Sequence, residues 1–317
     1  MVTRKLPYYE FADGIYEIDE FDCVSVFVIV GSKRALVIDC GTGIGDLRWV
    51  IENKITDKPY DVVATHNHGD HIGGAGFFDS IYIHPADMDW DSGNTLPTVD
   101  FRKSYAKIIA DRADKHYDYN LDEDVRPWPK TPEKLPLTDG QVFELGDRTV
   151  TAYHCPGHTF GEMVFLDDKT KTLLLGDACN CNYYLAVPEP GREKERIREA
   201  KAGLERLRSM KDKYDLMYNS HHDFRGFGNS LYPDILEDAI HAFDSILDGT
   251  ATYISVTDPL DPEHKAKTYV SYGRFRVAYQ GDGIAPKYSQ SFWGSVLWIA
   301  SASFFVLPVK LLNKIEY

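Results

Sequence analysis

Residues 65–71 are Thr65, His66, Asn67, His68, Gly69, Asp70 and His71, so three histidines and a carboxylate crowd into one short loop directly after the apolar run Asp61–Thr65. Such groups are costly to bury in a packed core but converge readily at a strand-to-loop junction. Neutral imidazole and carboxylate are the ligands that a borderline cation such as zinc prefers. A lone His-x-His would be read as a polar surface loop. The whole cluster, followed by Ile72, Gly73 and Gly74, points to metal chemistry instead.

Three further residues share the setting, each at the end of an expected strand. His158 lies in the run Cys155, Pro156, Gly157, His158, Thr159, Phe160, Gly161; Asp177 ends Leu173, Leu174, Leu175, Gly176, Asp177; His221 follows Leu216, Met217, Tyr218, Asn219, Ser220. Each is weak alone, since an isolated Gly-Asp is usually a turn, but their order and strand context reinforce one another. His222 stands beside His221 and is an alternative for the last position. Cys179 and Cys181 follow Asp177 and are alternative thiolate ligands, although small buried hydrophobes are the more ordinary reading.

The elements that must position these groups can be read from periodicity. Gly14–Phe21, Val24–Val30 and Arg34–Cys40 read as an antiparallel meander, followed by a helix near Asp46–Ile55 and strands at Asp61–Thr65 and Ile81–His84. From about Pro85 to Pro136 the composition turns polar, with four prolines at Pro127, Pro129, Pro132 and Pro136. One amphipathic helix is expected there, its apolar face carrying Phe101, Tyr105, Ile108 and Ile109. This stretch reads as an inserted lid or partner surface that does not build the core. Strands follow at Val142–Leu145, Thr149–His154, Glu162–Leu166, Thr172–Leu175 and Leu216–Asn219, with helices near Arg192–Lys211 and Tyr232–Leu247. Late strands are expected at Thr252–Ser255, Thr268–Tyr272 and Arg274–Tyr279. Two β-rich halves with outer helices imply helices covering both faces of a sheet sandwich.

The division expected is a catalytic domain over 1–287, with the insert at about 85–136, and an apolar C-terminal tail over 288–317. Between Lys287 and Lys310 the chain carries no charge, a length that borders on a membrane span. Ser291, Ser295, Ser301, Ser303, Gly294 and Pro308 dilute the signal, and no polybasic cluster flanks it. Packing on its own domain or on a second subunit is therefore the preferred reading, with membrane docking or spanning as the alternatives.

The 49 acidic against 35 basic residues give a net charge of -14. That balance disfavours work on long nucleic acid without excluding a small anion beside a bound dication. Five scattered cysteines do not form a disulfide framework. With no secretory signal visible at the N-terminus, a cytoplasmic location is expected, with membrane association if the tail docks.

These residues resemble the metallo-β-lactamase superfamily over roughly residues 13 to 250, the insert excepted. The family's His-x-His-x-Asp-His motif stands here as His66, His68, Asp70 and His71; its later His, bridging Asp and final His are matched by His158, Asp177 and His221. The resemblance implies a four-layered αββα sandwich with a helical insert and a C-terminal extension. It implies one metal on His66, His68 and His158, a second on Asp70, His71 and His221, and Asp177 between them. Asp39 matches an Asp that supports the metal loop in the family. The cofactors implied are two Zn2+, with Fe or Mn also accepted by such ligands. The reaction implied is attack of a metal-bridged hydroxide on a small ester, thioester or lactone, with Asp177 and Asp70 as the catalytic carboxylates and Asp70 as a candidate proton shuttle. The segment around His158 looks most like the glyoxalase II-like and lactonase branch. A small-molecule or lipid phosphodiesterase and an iron-dependent redox enzyme on the same fold are the alternatives. Trp90, Trp128, Phe160, Tyr183 and Tyr184 are expected near the substrate.

Overall fold

The computed structural model describes residues 2–90, 97–113, 117–186, 191–222, 225–257, 266–279 and 288–290. Alternation along the strands explains how the layers form. In β3 (Ser25–Val30) Val26 and Val28 join the core beneath the outer helices, while Phe27 and Ile29 face a second sheet. In β4 (Ala35–Ile38) Ala35 and Val37 face outward, and Leu36 and Ile38 face inward. Period-two patterning of this kind leaves both faces of a sheet apolar, so both must be covered.

The first sheet has the order β1-β2-β3-β4-β5-β6-β7, running through β1 (Tyr8–Ala12), β2 (Ile15–Asp19), β5 (Tyr60–Val63), β6 (Ser80–Ile83) and β7 (Glu133–Pro136). The second has the order β13-β11-β10-β9-β8, formed by β8 (Val142–Glu144), β9 (Thr149–His154), β10 (Met163–Asp167), β11 (Thr172–Leu174) and β13 (Leu216–Tyr218). Their facing sides share one dry core that includes Phe27, Leu36, Val63, Met163, Phe165 and Leu174. On the far side of the second sheet, Val164 and Leu166 pack with Ile197, Ala200 and Leu204 of α5 (Glu193–Ser209) and with Ile235, Ala239 and Phe243 of α6 (Ile235–Asp248). Each of the Val, Leu, Ile and Phe side chains among them contributes roughly 1.5–3 kcal/mol when fully buried. Three cores separating four layers are the αββα sandwich that was expected.

A third sheet, β12 (Asn182–Tyr183), β16 (Phe275–Ala278), β15 (Ala266–Tyr272), β14 (Tyr253–Thr257) and β17 (Tyr288–Gln290), follows that order. Val270, Phe275 and Val277 pack into the α5–α6 core, so the late strands thicken this outer layer and do not extend the sandwich. The tail's apolar run, Phe292–Val309, lies outside the described residues. Among the described residues, no helix is long and apolar enough to cross a membrane.

Several local readings shift. β1 was not anticipated; it folds back on β2 through Asp13 and Gly14, where Gly14 takes φ 69°. The helix expected over Asp46–Ile55 is α1 (Leu47–Val50), capped by the Asp46 side chain on the Trp49 amide, and continues as a π-helical turn through Ile51–Ile55. The insert departs most from its reading. Its last residues form β7, the edge of the first sheet, where a proline is tolerated. Its α3 (Val99–Ala113) buries Arg102, Ala106 and Ile109, a face rotated by one residue from the expected one, and Phe101 is 42% exposed. Trp90, Ala106, Ile109 and Val125, the last directly after the short α4 (Leu121–Asp124), join the core under the first sheet. The polar average of the stretch concealed a few apolar side chains at helical spacing, and those suffice to fuse it to the domain.

Candidate metal centre

β5, β9, β11 and β13 each hand over at one edge of the sandwich to a loop bearing a candidate residue. After β5 the chain passes through His66 and His68 into α2 (Gly69–Ile72), a single turn that swings Asp70 and His71 back toward them. All seven expected residues meet. His68 Nδ1 and His158 Nε2 lie 2.9 Å apart. Asp177 approaches His158 Nε2 at 3.5 Å, His221 Nε2 at 3.2 Å and His71 Nε2 at 3.7 Å. Asp70 Oδ2 lies 3.7 Å from His71 Nε2 and 3.6 Å from His221 Nε2. Two triads of ligand atoms close to one another result: His66, His68 and His158, and Asp70, His71 and His221. His66 and His71 also close a third group with Asp177, which therefore stands between the two.

The donor set fits divalent metal. His66 Nε2, His71 Nε2 and Asp177 Oδ1 are buried with no hydrogen-bond partner, a cost of about 1–3 kcal/mol each that coordination to a cation would remove. Gaps of 2.9–3.7 Å between the facing nitrogen and oxygen atoms are the separations expected of ligands that share a cation at roughly 2.0–2.2 Å.

The opposite ring nitrogens are held from behind. His71 Nδ1 donates to Asp39 Oδ2 at 2.9 Å, and the Thr65 amide donates to Asp39 Oδ1 at 2.7 Å. Asp39 sits at φ 68°, a left-handed conformation that Asp tolerates better than most residues. His158 Nδ1 donates to the Tyr184 carbonyl at 2.8 Å. His66 Nδ1 lies 3.0 Å from Thr65 Oγ1 and 3.3 Å from Glu162 Oε2. Such outer partners fix tautomer and ring orientation. Glu162 also accepts the Asp177 amide at 2.9 Å. Gly176 between them takes φ 55°, and a Cβ there would stand 2.6 Å from Glu162 Oε1.

Burial and neighbouring imidazoles push His66 well below its ordinary pKa, and the same causes take His68 to about 3. Burial likewise lowers His158. Burial also opposes charge on His71, but Asp70, Asp177 and Asp39 outweigh it and lift the imidazole to about 10. His221 is raised against its burial by Asp177 and Asp70. Burial beside Asp177 raises the Glu162 carboxyl well above the usual range. The first triad thus presents neutral nitrogens, whereas in the second the surrounding carboxylates Asp70, Asp177 and Asp39 favour a proton on His71.

His222 turns away from the centre. Its Nε2 donates to Asp22 Oδ1 at 2.9 Å and its Nδ1 to Ser25 Oγ at 3.0 Å. Cys179 and Cys181 are buried in the α5–α6 core and join none of the ligand groups among the described residues. Of the aromatic residues expected near substrate, Trp90 and Tyr183 are fully buried core, and Trp128 covers Gly76 while donating to the Gly73 carbonyl at 2.7 Å. Phe160, 40% exposed, and Tyr184 border the His158 loop. Glu162, Asp87 and Tyr105 were missed. Asp87 accepts Thr159 Oγ1 at 2.6 Å and the Gly161 amide at 2.9 Å. A charged residue opening the apolar strand after Gly161 was the available signal for Glu162; nothing local marked the other two.

Residues 20–255 match the family described as the Metallo-beta-lactamase superfamily. Acyl-coenzyme A thioesterase MBLAC2 of Homo sapiens is 29% identical over 182 residues, 52% of this chain and 63% of that protein. Atrochrysone carboxyl ACP thioesterase dmxR1 of Cryptosporiopsis sp. is 30% identical over 152 residues, 46% of this chain and 35% of that protein. The matched segment thus spans less than two thirds of either relative. Rm3 metallo-beta-lactamase superposes with a TM-score of 0.51 at 16% identity, covering 78% of this chain and 94% of that one. MEM-A1, a subclass B3 metallo-beta-lactamase from a soil metagenome library, gives 0.52 at 15%, covering 77% and 94%. At these identities the two structures share the fold.

Proposed function

The chain belongs to the metallo-beta-lactamase superfamily and is a hydrolase, and from that premise we propose that it is a two-metal thioesterase acting on acyl groups carried by coenzyme A or an acyl carrier protein. The observation that carries the metal dependence is the set of buried, unpartnered atoms, His66 Nε2, His71 Nε2 and Asp177 Oδ1, inside a ring of seven candidate ligands. The thioester preference rests on the activities named for the two thioesterase relatives.

His66, His68 and His158 would hold one cation, Asp70, His71 and His221 the other, with Asp177 facing both. Cations held there would supply a water activated near neutral pH and a Lewis acid for the thioester carbonyl. Asp39, Glu162 and the Tyr184 carbonyl keep the imidazoles oriented, so little reorganisation accompanies the reaction. Asp70, partly open to the site, carries a proton toward the leaving sulfur. That demand is small, because a thiol of pKa about 8.5 leaves as thiolate far more readily than an alcohol or amine leaves as its anion.

The test is a substrate panel on metal-loaded protein: acyl-coenzyme A thioesters of graded length, lactones, aryl esters and phosphodiesters. Thiol release should require added divalent metal, and His66→Ala combined with His68→Ala should abolish it in a folded chain. Turnover confined to phosphodiesters, or thioester cleavage unaffected by that double substitution, overturns the reading.

A further inference from the structure

We propose that Tyr105, on α3, is a positioning residue for Asp70 and thereby sets the affinity of the second cation; the inference rests on the two-metal reading above. The Tyr105 hydroxyl donates to Asp70 Oδ2 at 3.0 Å. That oxygen is the one lying 3.7 Å from His71 Nε2 and 3.6 Å from His221 Nε2. The bond therefore reaches the atom that would face the cation.

A carboxylate on a short side chain can rotate to present either oxygen. A donor fixed in space selects one and holds its plane. α3 supplies that fixed point. Its Arg102 donates to the Pro97 carbonyl at 3.1 Å and to the Gly43 carbonyl at 3.4 Å, and Ala106 and Ile109 are buried in the core. The Tyr105 ring stacks on Phe101 with centroids 6.0 Å apart and planes 16° apart. Phe101 is seated so closely on Gly69 that a Cβ there would run into its ring. One helix of the insert therefore grips the metal loop on both sides of the bond between Gly69 and Asp70. The first triad is held from elsewhere, by Glu162 and the Tyr184 carbonyl. Loss of the Tyr105 hydroxyl should be felt at the second set only.

Tyr105→Phe removes the hydroxyl and keeps the ring. Metal-stripped full-length protein is titrated with zinc by calorimetry, wild type against variant. Wild type should take up two equivalents. In the variant the affinity of the second should fall roughly 10–100-fold, the range for an outer partner of a metal ligand, while the first is unchanged. kcat on a thioester should fall in the same range with KM little altered. Equal weakening of both equivalents with a lowered melting temperature would assign Tyr105 a merely structural role and overturn the proposal, as would a titration identical to wild type. If wild type takes up one equivalent only, the proposal fails together with the two-metal reading. A wild-type-like variant that still cleaves thioesters sinks this proposal alone.

Discussion

His221 and His222 are consecutive in the chain yet serve different carboxylates: His221 Nε2 lies 3.2 Å from Asp177, and His222 Nε2 lies 2.9 Å from Asp22. The peptide between them separates the candidate metal centre from a clamp on the loop after β2. His222 Nδ1 donates to Ser25 Oγ, which in turn donates to Glu17 Oε1 at 2.6 Å, and Arg225 pairs with Glu17 beneath. Burial opposes the charge on His222, but Asp19 and Asp22 raise it to about 9, so both ring nitrogens donate.

Substitution should separate the two. His221→Ala should lose the second metal equivalent and reduce turnover by more than the roughly 10–100-fold expected of an outer partner. His222→Ala should keep two equivalents and lose about 1–3 kcal/mol of stability, because the buried Ser25 hydroxyl and the half-buried Asp22 carboxylate lose the donor that His222 supplies. Metal analysis and denaturant melts of both variants check this; loss of metal from His222→Ala would reverse the assignment.

Metal uptake should release protons unequally. His68, at about 3, and the lowered His66 and His158 are already neutral at pH 7. His71, at about 10, carries a proton that a cation must displace, and the neighbouring Asp177 and Asp70 raise His221 in the same direction against its burial. The first equivalent should therefore bind with little proton release. The second should release protons, and its apparent affinity should rise with pH until His71 titrates and fall as pH is lowered. Calorimetry in buffers of different ionisation heat measures the protons released at each step. Equal release at both steps would contradict the assignment.

Asp39→Asn should fold but bind metal poorly. Asn also tolerates the left-handed backbone found at Asp39. Asp39 uses one oxygen for the Thr65 amide and the other for His71 Nδ1 and Thr65 Oγ1. Asn offers only one acceptor oxygen, so one of these donors would face an NH2 group. Affinity at the second set should drop roughly 10–100-fold; an unchanged metal titration would show that His71 needs no partner there.

Gly69→Ala should displace Phe101 from its seat and cost about 1–3 kcal/mol, the usual penalty for overpacking. Phe101→Ala in the same chain should recover part of that loss, giving a coupling well outside additivity. Thermal melts of the two single variants and the double variant test the contact. Strict additivity would mean that α3 does not rest on the metal loop.

Much of the site was legible in the sequence because its signal is local. Imidazoles and carboxylates at strand ends have few uses in a packed protein, and the His66–His71 cluster declares its chemistry within a few residues. Apolar runs such as Val26, Phe27, Val28 and Ile29 imply a sheet covered on both faces, so helices over a sheet sandwich follow from the pattern, while the four-layered αββα order was implied by the family resemblance. Three things were decided only by the tertiary structure. Which of His221 and His222 faces the centre depends on side-chain direction after β13, and two adjacent histidines carry the same local signal. Whether the insert is a lid or part of the domain depends on three side chains of α3, Arg102, Ala106 and Ile109, finding partners that are distant in sequence. The groups that aim the ligands, Glu162, Asp87 and Tyr105, act through single hydrogen bonds between separate elements. Such a bond leaves no periodicity, because its geometry exists only once the layers have packed.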